Sequence, residues 1–178
     1  MKEQAPLYIF DTNIFLTGID VNVIQGEIYT TPSIIDEVKD PRYIEKNRNI
    51  LNKINVAIET KKLKIKVPEN EYIKKVKETS KKTGNFKALS DVDTELIALT
   101  LELMEKSNKN VTIYSNDYSI ENVCSELSIP YSPLYKEGIE STIIWEVYCP
   151  QCKIIHHPED LNRICETCGS KLRRRPKK

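Results

Sequence analysis

Leu7-Tyr8-Ile9-Phe10-Asp11-Thr12-Asn13 is the stretch on which the fold turns. A run of four apolar residues is too short for a core helix and reads as a buried strand ending at Asp11. Working outward, Glu27 to Thr30 reads as a second strand, and Thr31-Pro32 opens a helix to about Lys39, with proline suited to the first turn. Residues 43 to 60 read as helix, Leu63 to Val67 as an alternating strand, Glu69 to Lys82 as a lysine-rich helix, and Gly84-Asn85 as a loop. A helix from about Ser90 to Lys106 carries Val92, Leu96, Leu99 and Leu103 on one face. Then follow a strand, Val111 to Tyr114, the turn Ser115-Asn116-Asp117, a helix to about Leu127, and a last short strand within Ile129 to Leu134. Strands alternating with helices imply an α/β fold with a parallel sheet flanked by helices, and such sheets put functional residues beyond the carboxyl ends of their strands.

Composition sets the outer limits. At 178 residues, with 39 % hydrophobic and 30 % charged, the chain suits one globular domain plus a small appendage, and disorder is excluded as a general description. No apolar run approaches the roughly 18 to 20 residues of a membrane-spanning helix. The start, Met1-Lys2-Glu3-Gln4-Ala5-Pro6, does not resemble a signal peptide, so a cytoplasmic protein is expected. Net charge is only +1, yet it is unevenly spread: residues 41 to 87 hold 14 basic and 5 acidic residues, and residues 149 to 178 hold 8 and 3. The remaining blocks are strongly acidic. Basic blocks suit phosphates, whereas clustered carboxylates make most sense around bound cations.

Four of the five cysteines fall as Cys149-x2-Cys152-x12-Cys165-x2-Cys168. Each CxxC step puts two thiolates on one tight knuckle, and two knuckles complete a tetrahedral four-sulfur site for structural Zn2+. Gly169 suits the turn after the second knuckle, while Lys153 stands at the equivalent place after the first. Two disulfides are the alternative in an oxidising compartment, and iron could occupy the same cage. Cys124 stands alone on an expected helix and reads as a small buried hydrophobe.

Asp11, Glu37, Asp93 and Asp117 are the acidic candidates. Each has a purely structural reading: Asp93 as the third residue of a capping box opened by Ser90, Asp117 as a helix cap, Glu37 on a solvated face beside Asp36. Together they could meet at one sheet edge, their repulsion offset by Mg2+ or Mn2+, in a site for metal-assisted phosphodiester hydrolysis.

Asp11-Thr12-Asn13 after an apolar strand, Thr31-Pro32 leading to Glu37, Ser90-x-x-Asp93 opening a helix and Ser115-Asn116-Asp117 after a strand resemble a PIN domain over residues 7 to 135. With Trp145 before the cysteines, and with Leu89-Ser90-x-x-Asp93 and Ile97-Ala98-Leu99-Thr100, nearly the whole chain is similar to the Nob family of ribosome-maturation endonucleases, in its short archaeal form. That resemblance implies a PIN-like endoribonuclease domain over residues 1–138, a linker at 139–147, a zinc ribbon at 148–172 and a basic tail at 173–178. It implies metal coordination by Asp11, Glu37, Asp93 and Asp117, with Asn13 and Ser115 as polar neighbours and Asp93 preferred over Asp91. It also implies precursor small-subunit rRNA, within the pre-ribosomal particle, as partner, cut at the mature 3′ end to leave a 3′-hydroxyl and a 5′-phosphate. Neither a membrane nor an organic cofactor is expected.

The basic excess of the cysteine segment suggests an RNA platform of Lys153, Arg163, Lys171, Arg173, Arg174 and Arg175, against a purely structural staple. His156 and His157 are expected at the surface or stacking on RNA, since four sulfurs already fill a zinc shell. The lysines from Lys61 to Lys82 either guide RNA or form a solvated face. Competing functions are a PIN-type toxin or RNA-decay nuclease, a non-catalytic RNA-binding assembly factor, and an iron-based electron carrier.

Overall fold

The computed structural model of the chain describes residues 5–40, 44–82, 89–134 and 145–177. Its larger sheet has five strands, all parallel, in the order β3-β2-β1-β4-β5: β1 (Leu7–Phe10), β2 (Glu27–Thr30), β3 (Leu63–Ile65), β4 (Val111–Tyr114) and β5 (Tyr131–Ser132). Leu7, Ile9, Ile28, Val111 and Ile113 are all buried, and each such side chain removed from water is worth roughly 2 to 3 kcal/mol. This central packing is why a four-residue run sufficed as a strand signal. β3 is shorter than the expected 63–67, because Ile65 and Val67 turn out to solvent and the pairing with Thr30 ends there. Gly26 leads into β2 with φ of +119°, and a Cβ there would lie 2.6 Å from the Pro6 carbonyl oxygen, so only glycine fits that approach.

Among the described residues six α-helices accompany the strands: α1 (Thr12–Leu16), α2 (Pro32–Val38), α3 (Ile44–Glu59), α4 (Asn70–Lys82), α5 (Asp91–Lys106) and α6 (Tyr118–Glu126). Their starts follow the sequence chemistry. Asp11, Thr31, Ser90 and Asp117 cap α1, α2, α5 and α6, and Ser90 with Asp93 forms a reciprocal capping box. The expected loop at Gly84-Asn85 and most of the stretch from Lys136 to Trp145 lie outside the described residues.

α5 is buried along most of its length, and one buried position is a surprise. Glu102 is fully inside, where Lys66 reaches it at 2.7 Å and the Glu69 backbone N–H donates at 2.9 Å. A buried carboxylate needs such partners, and they hold its pKa down against the desolvation that would raise it. The group ties the segment after β3 to the central helix.

The cysteine segment forms a separate three-stranded antiparallel sheet in the order β7-β6-β8, with β6 (Trp145–Tyr148), β7 (Ile155–His156) and β8 (Arg173–Pro176). Two expectations are corrected here. Residues 173–176, expected in a basic tail, are a paired strand, and residues 145–147, expected in a linker, belong to the sheet's middle strand. The cross-strand contacts supply the reason. Arg174 lies 4.4 Å over the Trp145 ring, Arg175 4.4 Å over the Tyr148 ring, and Arg175 donates to Glu146 at 2.7 Å, so a charged run gains stacking and a counter-ion.

Candidate active site and metal centre

Strand order fixes where the acids meet. β1 pairs with β2 on one side and β4 on the other, so the chain reverses its direction of winding between β1 and β4, and a crevice opens beyond their carboxyl ends. Asp11 follows β1 and Asp117 follows β4 by three residues. α2, leaving β2 at that same end, carries Glu37. α5 returns antiparallel to the strands before β4, which puts its N-terminus and Asp93 there as well.

Asp11 is buried at 4 % exposure. Its Oδ1 accepts from the Thr12 N–H at 2.6 Å, while Oδ2 accepts from Asn13 Nδ2 at 2.5 Å and from Ser115 Oγ at 2.7 Å. Ser115 Oγ accepts in turn from the Asp117 N–H at 3.0 Å, and the Asn116 N–H donates to Asn13 Oδ1 at 3.2 Å, binding the ends of β1 and β4 together. Asp117 Oδ1 accepts from Ser119 N–H at 2.7 Å, and Asp93 Oδ2 accepts from both the N–H and the hydroxyl of Ser90 at 2.8 Å. Glu37 accepts from Thr12 Oγ1 at 2.6 Å. Thr12 holds Glu37 toward Asp11, a role that the sequence reading did not assign.

The acids feel one another. Burial pushes the Asp11 pKa up to about 6, and the carboxylates of Asp93 and Asp117 add to that rise against the lowering pull of the Ser115 hydrogen bond. Asp93 is raised as well, first by burial and then by Asp117 and Glu37. Four acids thus share one electrostatic site. Among the described residues only the four cysteines bring three or more ligand atoms within 4.8 Å of one another, so the carboxylates are more widely spaced. Mg2+ is commonly held through one or two carboxylates with waters filling the rest of its shell, so these acids would hold it only with waters completing the contacts. Asp91 is turned away: its side chain is 93 % exposed and pairs with Lys77 at 3.4 Å.

In the smaller sheet the two knuckles repeat one geometry. The Lys153 N–H donates to the Cys149 carbonyl at 2.9 Å and the Gly169 N–H to that of Cys165 at 2.8 Å, while the N–H groups of Cys149 and Cys165 donate to the carbonyls of Ile154 and Ser170. Lys153 and Gly169 both take positive φ, +65° and +72°, so lysine accepts the left-handed conformation that glycine takes freely. The sulfurs of Cys149 and Cys168 lie 3.3 Å apart and those of Cys152 and Cys165 3.6 Å apart. A tetrahedron of Zn–S bonds of about 2.3 Å has S···S edges of about 3.8 Å, close to these values. The sulfurs therefore fit a zinc ion. His156, expected at the surface or against RNA, is half-buried with Nε2 3.6 Å from Cys165 Sγ, beside the sulfur cluster rather than displayed outward.

Residues 8–103 match the family described as the PIN domain of ribonuclease. A protein of Methanocaldococcus jannaschii named Endoribonuclease Nob1 is 34 % identical over 167 residues, covering 94 % of this chain and 76 % of that protein. A protein of the same name from Pyrococcus abyssi is 32 % identical over 170 residues, covering 96 % and 94 % respectively. The chain belongs to the Nob1 endoribonucleases. A Thermoplasma acidophilum protein named Ribonuclease VapC1 is also similar, 30 % identical over 168 residues, or 94 % of this chain and 77 % of that one.

This Nob1-family chain carries its cations unevenly. Arg163 pairs with Asp160 at 2.9 Å, whereas Lys153 and Lys171 are exposed on the ribbon. Along the lysine-rich stretch, Lys64, Lys66, Lys75, Lys77 and Lys81 each pair with a carboxylate, which favours the solvated-face reading there. Cys124 is fully buried, and burial raises its thiol pKa, so it is an inert packing residue. No helix among the described residues is long and apolar enough to cross a membrane.

Proposed function

We propose that this chain is the divalent-metal endoribonuclease that cuts precursor small-subunit rRNA at its mature 3′ end, acting in the cytoplasm on the pre-ribosomal particle. The observation that carries the reading is the meeting of Asp11, Glu37, Asp93 and Asp117 at the carboxyl ends of β1, β2 and β4 in a chain similar over almost its full length to proteins named Endoribonuclease Nob1. Asp11, Glu37, Asp93 and Asp117 would hold Mg2+ or Mn2+. Such a cation would provide Lewis-acid activation of a water and charge neutralisation at the leaving oxygen, so no serine, histidine or cysteine nucleophile would be needed. The four carboxylates would be ligands first, and one of them would accept a proton as the water attacks; Asp11 is among them, its pKa pushed by burial up to about 6. Ser115 and Asn13 keep it oriented.

We assign residues 145–177 to a ribbon that binds RNA through Lys153, Lys171 and Arg173 at its exposed surface, with zinc as the structural ion that its four cysteines suit. The similarity to the protein named Ribonuclease VapC1 extends over 168 residues, longer than a nuclease domain ending near residue 138, so it does not favour a ribbon-less toxin. The test is cleavage of an end-labelled RNA spanning the small-subunit 3′ junction, by the zinc-loaded chain with Mn2+ or Mg2+. A single cut at the mature end, leaving a 3′-hydroxyl and a 5′-phosphate, is expected. Scattered cuts, or none on either the RNA or the precursor particle, would overturn the substrate assignment.

A further inference from the structure

Ser115-Asn116-Asp117 follows β4, and two of its three side chains already have a place in the acid group: Ser115 Oγ donates to Asp11, and Asp117 is one of the four acids. The middle side chain reaches another part of the molecule. Asn116 Oδ1 accepts the backbone N–H of Leu134 at 3.0 Å. Leu134 lies two residues beyond β5, an edge strand that pairs with β4 in parallel, so the chain leaves the sheet at the end where the acids meet. The backbone of Asn116 points the opposite way across the sheet. Its N–H donates to Asn13 Oδ1 at 3.2 Å, and Asn13 Nδ2 donates to Asp11 Oδ2 at 2.5 Å. Three hydrogen bonds therefore run in series from Leu134 through Asn116 and Asn13 to the buried Asp11 carboxylate, across the ends of β5, β4 and β1.

We propose that Asn116 is a positioning residue of the metal centre: by clamping the exit from β5 it holds the turn that carries Asp117 and, through Asn13, the orientation of the Asp11 carboxylate. The turn needs such a clamp. Residues 115–117 lie between β4 and α6, outside both hydrogen-bond ladders, and fixing the backbone of each such residue costs about 1 to 2 kcal/mol of conformational entropy. The ligands of a cation must nevertheless be held to within about 0.5 Å of their working positions. β5 pairs with β4 over only Tyr131 and Ser132, so the bond to Leu134 extends that attachment past the ladder. Leu134 is a firm anchor, because its own side chain packs against the main core. An amide suits the task, since it accepts a backbone N–H without adding charge to four acids that already repel one another. A cation bound by the acids should by linkage steady the Leu134 exit, just as that exit steadies the acids. This inference rests on the nuclease reading given above and gives a role to the one residue of the turn that the reading leaves without one.

Amide hydrogen exchange and Mn2+ affinity of the zinc-loaded full chain separate this role from a merely structural one. In the wild type, saturating Mg2+ should slow exchange of the Leu134 amide by about threefold to tenfold. Asn116→Ala should speed that exchange and abolish its response to Mg2+, and should weaken Mn2+ binding by about threefold to tenfold. In single-turnover cleavage of the junction RNA it should lower the rate at saturating RNA about tenfold while the RNA Kd changes less than about threefold. Asn116→Leu, close to asparagine in size but without an acceptor, should behave as Asn116→Ala does. Asn116→Asp, which keeps the acceptor, should restore slow exchange at Leu134. A lowered melting temperature with Mn2+ affinity and cleavage rate both within about twofold of wild type overturns the proposal and leaves the nuclease reading standing. So does a wild-type Leu134 amide whose exchange is indifferent to Mg2+ although the ion binds. A wild-type chain with no saturable Mn2+ binding overturns the metal centre, and this proposal with it.

Discussion

Asp93→Asn should reduce metal-dependent cleavage about a thousandfold or more while leaving RNA binding within a few-fold of wild type. The substitution isolates charge from architecture. Asp93 Oδ2 closes the capping box with the Ser90 N–H and hydroxyl, and an asparagine carbonyl oxygen can accept both hydrogen bonds, so α5 keeps its start. What disappears is one negative charge in a group of four, and with it one of the ligands that we propose for the cation. Losing about 4 kcal/mol of transition-state stabilisation corresponds to the thousandfold fall. Single-turnover kinetics beside filter binding will check it. Equal loss of binding and cutting would assign Asp93 to RNA contact, and unchanged cutting would remove it from the site.

Removal of the zinc that we assign to the four cysteines should have the second large effect. The ribbon's buried residues are Val147, Cys149, Leu161, Cys165 and Leu172, so two of the five belong to the four-cysteine group that would hold the ion. Three aliphatic side chains cannot stabilise about thirty residues, and structural zinc in small domains contributes about 10 to 16 kcal/mol of binding free energy. Cys165→Ser, or a strong chelator acting on the wild type, should therefore unfold residues 145–177 while the five-stranded sheet persists. Amide NMR dispersion and protease nicking report it directly. Retention of a folded, protease-resistant ribbon after complete zinc loss would contradict the account.

How much of this was legible in the sequence varies by element. The β1 run was decisive because its residues are packed at the centre of the sheet, and the Ser90-x-x-Asp93 pattern was readable because capping is local chemistry. The structural readings of two of the acids hold: Asp117 uses Oδ1 to receive the Ser119 N–H and Asp93 uses Oδ2 for Ser90, so each spends one carboxylate oxygen on a helix start and has a second oxygen besides. Long-range partners were the illegible part. Nothing local in Arg173-Arg174-Arg175-Pro176 announces a strand, since its stabilising rings and carboxylate lie across the sheet on β6. Glu102, one turn from Leu99 on an apolar helix face, is explicable only once Lys66 and the Glu69 N–H arrive from the β3–α4 segment. His156 likewise reads as a surface residue until the two knuckles fold against each other and bring it to Cys165.

The central claim is that Asp11, Glu37, Asp93 and Asp117 form one divalent-metal centre, and a Mn2+ titration of the zinc-loaded chain by electron paramagnetic resonance tests it most directly. Because Asp11 titrates at about 6, in competition with the cation, affinity should be full above neutrality and about tenfold weaker at pH 5, where only about a tenth of Asp11 is ionised. Asp11→Asn should weaken binding at both pH values and flatten the dependence between them. Saturable binding near pH 7.5 that behaves this way is the predicted result. Binding that is unchanged by Asp11→Asn and by Asp93→Asn, or no saturable binding at all, would contradict the account.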